Sequence, residues 1–454
     1  HTEVSMAPTE RGAVFSLHYK GADSAWLVMD GMNKGAYVKV IPAENKVIGY
    51  TSYNSGGVPD NFKNYFVLKF SRPFTIARTF RGKQLAGDTL ELEAAHAGAV
   101  LGFGAQPGGM SLEVRVASSF ISFEQASLNL QREIGSRDYK AIAAAAKAAW
   151  NKELGRVTIA DDNLDAVKTF YSCLYRVLLF PRMFYEIDAS GKVVHYSPYN
   201  GQVLPGYMFT DNGFWDTFRA VFPFFNLMYP SLNAKIMEGL ANTYKESGWL
   251  PEWASPGHRD CMIGSNSASL IADAWLKGVR GFDIETLYEA MKKNAENEGP
   301  LTSVGRKGAP YYNQLGYVPN DAGINENAAR TLEYAYADFC LYQLAKALGK
   351  PQAEISRWQK QSMNYKNLFY KQAGLMAGKS KTGQFAANFN PFKWGGDFTE
   401  GNSWHYTWSV FHDIEGLKQL MGGDKNFVET LDSVFTMPPV FDESYYGQVI
   451  HEIR

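Results

Sequence analysis

The sequence has 454 residues, and 45 Lys plus Arg nearly balance 46 Asp plus Glu for a formal charge of −1. That length suffices for two or three domains with large cores, and 20% charged with 45% hydrophobic residues excludes wholesale disorder. The neutral balance excludes the basic footprint that nucleic acid or an anionic membrane surface requires, and no apolar run approaches the roughly 18 residues of a transmembrane segment.

Up to about residue 122, short apolar and aromatic runs at 14–19, 25–29, 36–41, 65–70, 74–79 and 112–120 are separated by Gly, Pro, Asn and Asp. This spacing predicts an antiparallel β-sandwich over 1–122. The Gly-rich stretch 103–109 lacks phosphate-loop spacing and reads as a turn. The opening residues hold no charged-then-apolar leader. Either a leader has been removed or the chain begins inside a longer protein.

The segment 123–157 is rich in Ala and opposite charges and predicts a helical linker, with helices at 125–134 and 139–154. Beyond it, over 158–454, Leu164, Val167, Tyr171, Leu174 and Leu178 share one helical face that ends at Pro181. Ser231 is placed as the cap of a helix with Leu232, Ile236, Leu240 and Tyr244 on its buried side, closed by Gly248. Further helices follow at 268–277, 284–294, 326–348, 353–370, 414–421 and 426–435. Such a succession suggests helix pairs, one closed form of which is an (α/α)6 toroid with a pocket built by its long loops. Cys173, Cys261 and Cys340 are too few and scattered for a disulfide or zinc framework and read as buried free thiols.

Three loops concentrate unusual residues. In 206–220, Asp211, Trp215, Asp216 and Arg219 crowd before a helix. Carboxylate, guanidinium and indole together suit a sugar, whose ring stacks on the aromatic face while its hydroxyls take hydrogen bonds. Asp216 capping the helix while Trp215 packs in the core is an equal reading. In 247–266, Glu252, His258, Arg259 and Asp260 lie with Trp249 and Trp253; a solvated surface loop stands beside a binding role. In 394–417, Asp397 and Glu400 precede Asn402, Trp404, His405 and Trp408. A carboxyl among indoles is desolvated and its pKa rises, as a general acid requires; the alternative is an acidic helix start favoured by the macrodipole. No HExxH, CxxC or GxSxG motif occurs, which leaves carboxylate chemistry as the leading enzymatic option.

Five ordered segments then carry a resemblance: FYSCLYRVLLFPRMF (170–184), FWDTFRAVFPFFNLMYP (214–230), MIGSNSASLIADAWLKG (262–278), GYVPND with TLEYAYADFCLYQLAKALGK (316–350) and FTEGNSWHYTWSVFHDIEGL (398–417). From about residue 115 onward the chain resembles glycoside hydrolase family 92, calcium-dependent, exo-acting α-mannosidases that invert the anomeric carbon. The resemblance implies a β-sandwich, a helical linker and an (α/α)6 catalytic domain acting on mannose-containing glycans. Glu400 matches the family's general acid and Asp216 a residue that holds mannose hydroxyls; Trp215 and Arg259 are further candidates for the same pocket. It also implies Ca2+ as cofactor and a secreted, periplasmic or cell-surface location in bacteria.

The family segments that supply the base and the main calcium ligands have no counterpart here and are expected beyond residue 454, after the closing stretch 446–452. The front of the sandwich is likewise expected to lie outside the sequence. The chain thus reads as the middle of a longer family member. A non-catalytic carbohydrate-binding or scaffold protein that keeps the fold without the base is the alternative.

Overall fold

In the computed structural model, which describes residues 2–21, 24–105, 108–438, 442 and 444, the chain forms two compact units, His1–Tyr207 and Met208–Arg454. In the first, apolar–polar alternation produces strands β1 (Thr2–Pro8), β2 (Gly12–Tyr19), β3 (Ser24–Asp30), β4 (Ala36–Ile41), β5 (Lys46–Thr51) and β6 (Asn64–Phe70). They are followed by β7 (Ile76–Arg81), β8 (Gln84–Leu85), β9 (Glu91–Ala94), β10 (Ala97–Ala105) and β11 (Met110–Ser119). A seven-stranded sheet of order β1-β2-β11-β6-β5-β4-β9 faces a four-stranded sheet of order β3-β10-β7-β8. The ladders within each sheet are antiparallel.

The sandwich core is the inward set of both sheets: Leu17, Val38, Val40, Val47, Leu112 and Val114 from one, Ala99, Leu101 and Phe103 from the other. In β4 the alternation is complete, with Ala36, Val38 and Val40 buried and their neighbours partly exposed. Strand β10 was unreadable as a strand because three glycines interrupt it, and the predicted turn at 103–109 begins inside it. Two of those glycines serve packing: a Cβ on Gly98 would lie 2.2 Å from Phe80 Cζ, and one on Gly102 2.9 Å from Trp26 Cζ3. A side chain at either position would collide with the ring that crosses it.

Helices α1 (Phe123–Glu133) and α2 (Tyr139–Leu154) belong to this first unit, their starts capped by Ser122 and Asp138. They cover the other face of the seven-stranded sheet, where Ile134 and Ile142 pack on Ala7 and Val14. Buried Glu186 ties the region together, accepting from Ser119 Oγ at 2.9 Å, Phe120 N at 2.9 Å and Asn129 Nδ2 at 2.7 Å. Helix α3 (Leu164–Val177) is capped by Asn163, and only Leu174 of its apolar face is buried. Leu164 is 68% exposed, so a shared helical face did not mean a shared core.

The second unit holds α4 (Phe214–Thr217), α5 (Val221–Met228), α6 (Pro230–Ser247), α7 (Ser267–Leu276), α8 (Ile284–Glu296), α9 (Ala309–Leu315) and α10 (Asn327–Ala347). After these come α11 (Gln352–Ser362), α12 (Ser403–Tyr406), α13 (Ile414–Leu420) and α14 (Asp424–Thr436). Ser231 is not the cap of α6: the helix begins with Pro230 at its first position, whose fixed φ suits a helix start, and the cap residue is Tyr229. Gly248 does close it. The predicted helix 353–370 stops at Ser362 and gives way to a 3₁₀ turn, Met363–Leu368.

Helix α10 is the axis of this unit. Ala328, Ala329, Leu332 and Ala335 pack against Ile263, Tyr365, Met376, Phe398, Tyr406 and Leu417. Its small residues admit close neighbours on every side, and its buried charge is paired. Asp338 accepts from Arg306 Nη1 and Tyr312 Oη, both at 2.7 Å, while Arg306 also donates to Ser265 Oγ at 3.1 Å. Of the three thiols only Cys340, on this helix, is buried; Cys173 and Cys261 are exposed. Cys173 lies on the open side of α3, and Cys261 lies in a loop rather than a helix.

Candidate active site

The first two flagged loops are joined by backbone pairing. Asn212 pairs with Ala254 and Gly213 with Trp253 in a short antiparallel ladder. Phe214 N donates to Glu252 O at 2.9 Å and Asp211 N to Ala254 O at 2.8 Å. Helix α4 starts directly from this ladder and carries Trp215 and Asp216 side by side. Its cap is Gly213, with no side-chain cap bond, so Asp216 does not cap the helix; it stands exposed in the first turn. Trp215 packs on the edge of the core rather than within it: it is half-buried and its Nε1–H donates to Glu333 Oε1 at 3.0 Å.

Arg259 follows the ladder on the second loop. Its backbone N donates to Trp253 O at 3.0 Å, and its carbonyl accepts from Ser303 Oγ at 2.7 Å. Asp260 Oδ1 accepts from Thr302 Oγ1 at 2.7 Å and Ser303 N at 3.1 Å, and so braces the loop. Glu252 is fully buried, accepting from Ser267 Oγ at 2.6 Å and Ser267 N at 3.1 Å. Burial raises its pKa to about 8 despite those donors and nearby Arg306, and burial lowers His258 to about 4. The solvated-loop reading therefore fails for these two residues.

The third loop is fastened to the start of α10. Glu326 N donates to Gly396 O at 2.7 Å, and Ala328 N and Ala329 N donate to Asp397 O at 3.0 and 3.1 Å. Asn327 Nδ2 donates to Asp397 Oδ1 at 2.8 Å. Asp397 thus satisfies open N–H groups of a helix N-terminus. Gly395 N reaches Gly401 O at 2.9 Å, and Tyr406 Oη reaches Thr399 O at 2.8 Å. Asn402 then caps α12 with a reciprocal bond to His405.

Between these fastenings Glu400 sits exposed with φ of +44°. Its exposure departs from the desolvated setting expected of a carboxyl among indoles. A left-handed residue costs about 1 kcal/mol or more and persists only where its surroundings fix it, as the bonds around Gly395–Tyr406 do here. The loop therefore presents a carboxyl from a rigid base.

The three loops share one core. Trp215 packs against the cluster containing Ile263, Phe398 and Tyr406, one residue group from each loop. Glu333 of α10, 2% exposed, stands among them and was missed by sequence reasoning. Its signal was legible: an acid set between Leu332 and Tyr334 on a largely apolar helix that also carries Asp338. Burial raises its carboxyl, opposed by Arg219, Trp215 and Asn266. Arg219 lies 3.8 Å from Glu333 Oε1 and over the rings of Phe218 and Phe411, at 4.7 and 5.5 Å. It also lines a cavity of about 440 Å³ with Phe222, Ser269 and Tyr336.

This arrangement suits a ligand with a flat apolar face and a rim of hydroxyls. It offers an indole, a neighbouring exposed carboxylate and a second carboxyl on a braced loop.

Residues 1–119 match the glycosyl hydrolase family 92 N-terminal domain and residues 125–451 the glycosyl hydrolase family 92 catalytic domain. The chain is similar in structure to a family 92 inverting mannosidase of Bacteroides thetaiotaomicron, at 47% identity and TM-score 0.93, over 100% of this chain and 61% of that one. A family 92 α-mannosidase of the same organism, in complex with mannoimidazole, is 28% identical with TM-score 0.85 over 97% of this chain and 59% of that one. A protein of Arthroderma benhamiae named as an uncharacterized secreted glycosidase is 30% identical over 374 residues, 74% of this chain and 44% of its own length. The chain thus spans less than two thirds of each. Matched in both domains along nearly all of its sequence, it belongs to glycosyl hydrolase family 92.

Proposed function

We propose that the full-length gene product hydrolyses terminal α-mannosidic linkages in mannose-containing glycans with inversion. The observation that carries this reading is family membership across both units, and the exposed Glu400 on its braced loop supports it. Glu400, as general acid, gives its proton to the departing glycosidic oxygen, neutralising the alkoxide as the bond breaks. Asp216 accepts hydrogen bonds from mannose hydroxyls, Trp215 offers its ring face to the sugar's C–H groups, and Arg259 donates from the neighbouring loop.

Inversion also needs a base roughly 6.5–9.5 Å from the acid, across the ring, to deprotonate the attacking water. That role is assigned to no residue of this chain. Asp397 is engaged by Asn327, and Asp413 accepts from Tyr365 Oη at 2.6 Å and Gly416 N at 2.9 Å. Calcium dependence is part of the proposal on family grounds alone. Among the described residues there is no group of three or more His, Cys, Asp or Glu that could hold a metal ion, and no step is assigned to it. Export is proposed from the named secretion of the Arthroderma benhamiae relative.

The test is release of free mannose from α-mannosides by the full-length gene product, with and without a chelator. Release that is lost on chelation and in Glu400→Gln is the expected result. No release, or release indifferent to both, overturns the mechanism; mannoside binding without release favours a carbohydrate-binding protein.

A further inference from the structure

Glu333 lies against the first two loops and acts electrostatically on the third. Its Oε1 accepts the Trp215 indole N–H at 3.0 Å and faces Arg219 Nη2 at 3.8 Å. On the second loop Gly264 has φ of +83°, and a Cβ there would lie 3.0 Å from Glu333 Cβ and 3.3 Å from its Oε2. On the third, the charge of Glu333 helps to raise the Tyr406 phenol, whose hydroxyl holds the Thr399 carbonyl next to Glu400. The carboxylate is buried, on a helix most of whose residues are buried.

An indole has one polar atom and a broad, two-fold χ2 preference. A half-buried Trp on a four-residue helix therefore needs a fixed acceptor to hold one ring orientation. We propose that Glu333 is a positioning residue for sugar binding: its carboxylate fixes the Trp215 indole, and through it the plane on which the sugar ring stacks, while Arg219 balances the buried charge. Glu333 acts through Trp215 and does not itself contact the sugar. This rests on the reading of Trp215 as a mannose-contacting residue.

The experiment places 5-fluorotryptophan in the full-length gene product and in Glu333→Gln, Glu333→Ala and Trp215→Phe, the last assigning the Trp215 fluorine line. Kinetics with methyl α-mannoside accompany the spectra. Removal of Glu333 in Glu333→Ala moves the Trp215 line and raises KM about tenfold with kcat changed much less, the size expected for one lost charged hydrogen bond. Glu333→Gln, which keeps an acceptor of the same shape, restores most of the affinity. In a Trp215→Phe background the Glu333 substitutions add nothing to KM. An unmoved Trp215 line, or an equal KM penalty in that background, overturns the proposal. Should Glu333→Ala not fold, Glu333→Leu, which removes the acceptor while keeping a side chain of similar size, takes its place in the spectra and in the double-mutant cycle. A moved line in a protein without turnover supports the indole contact and overturns only the mannosidase reading.

Discussion

Glu400 is held in a left-handed conformation and exposed, so its chemistry is separable from its packing. Glu400→Gln is expected to slow hydrolysis of alkyl mannosides roughly 10²–10⁴-fold. It should spare mannosides with acidic phenol leaving groups, which need no proton; comparison of the two substrate series checks it. The second loop carries a pH signature. Glu252 is raised to about 8, so in the folded chain it stays protonated where the unfolded chain ionises. Its contribution to stability is complete below the ordinary Glu range and is lost as pH climbs to about 8. His258 is lowered to about 4 and acts in the opposite sense, with stability present above about 6.5 and lost as pH falls through 4. Chemical denaturation of Glu252→Gln against pH should remove the alkaline decline, with a slope of at most about 1.4 kcal/mol per pH unit, and leave the acid limb in place.

At the scale of elements, α10 ties the site together. Its N-terminus receives the Glu400 loop, its middle supplies Glu333, and Asp338 closes a buried pair with Arg306, their side chains 0% and 1% exposed. Removing one member strands a buried charge, so Asp338→Ala should cost about 3–5 kcal/mol in urea unfolding. Asp424→Ala, which breaks a surface pair between the start of α14 and Lys418 of α13, should cost under about 1 kcal/mol. A ligated carboxylate at a helix start is also a modest support: Asp397→Ala should cost about 1 kcal/mol through Asn327. It should also lower kcat/KM for mannosides, because the Glu400 loop loses one of its fastenings.

For this chain taken as a whole, a formal charge of −1 provides little net field for a charged partner. KM for a neutral mannoside should change less than about twofold between about 0.05 and about 0.5 M NaCl, since screening has little to act on. A steep salt dependence would point to an anionic substrate instead.

The sequence by itself determined the two textures: period-two runs made the sandwich strands, and Ala-rich, capped stretches made helices such as Tyr139–Leu154, whose ends were legible to the residue. Ordered motifs also marked the loops of Trp215, Arg259 and Glu400. What only the tertiary structure decided was burial and company. Strand β10 depends on rings from neighbouring strands that fill the space above two of its glycines. The faces of α3 and the exposure of Cys173 depend on what packs against them, which periodicity along one helix does not encode. Glu333 meets Trp215 across 118 residues, and a contact at that separation exists only once helix α10 and the first loop have packed together.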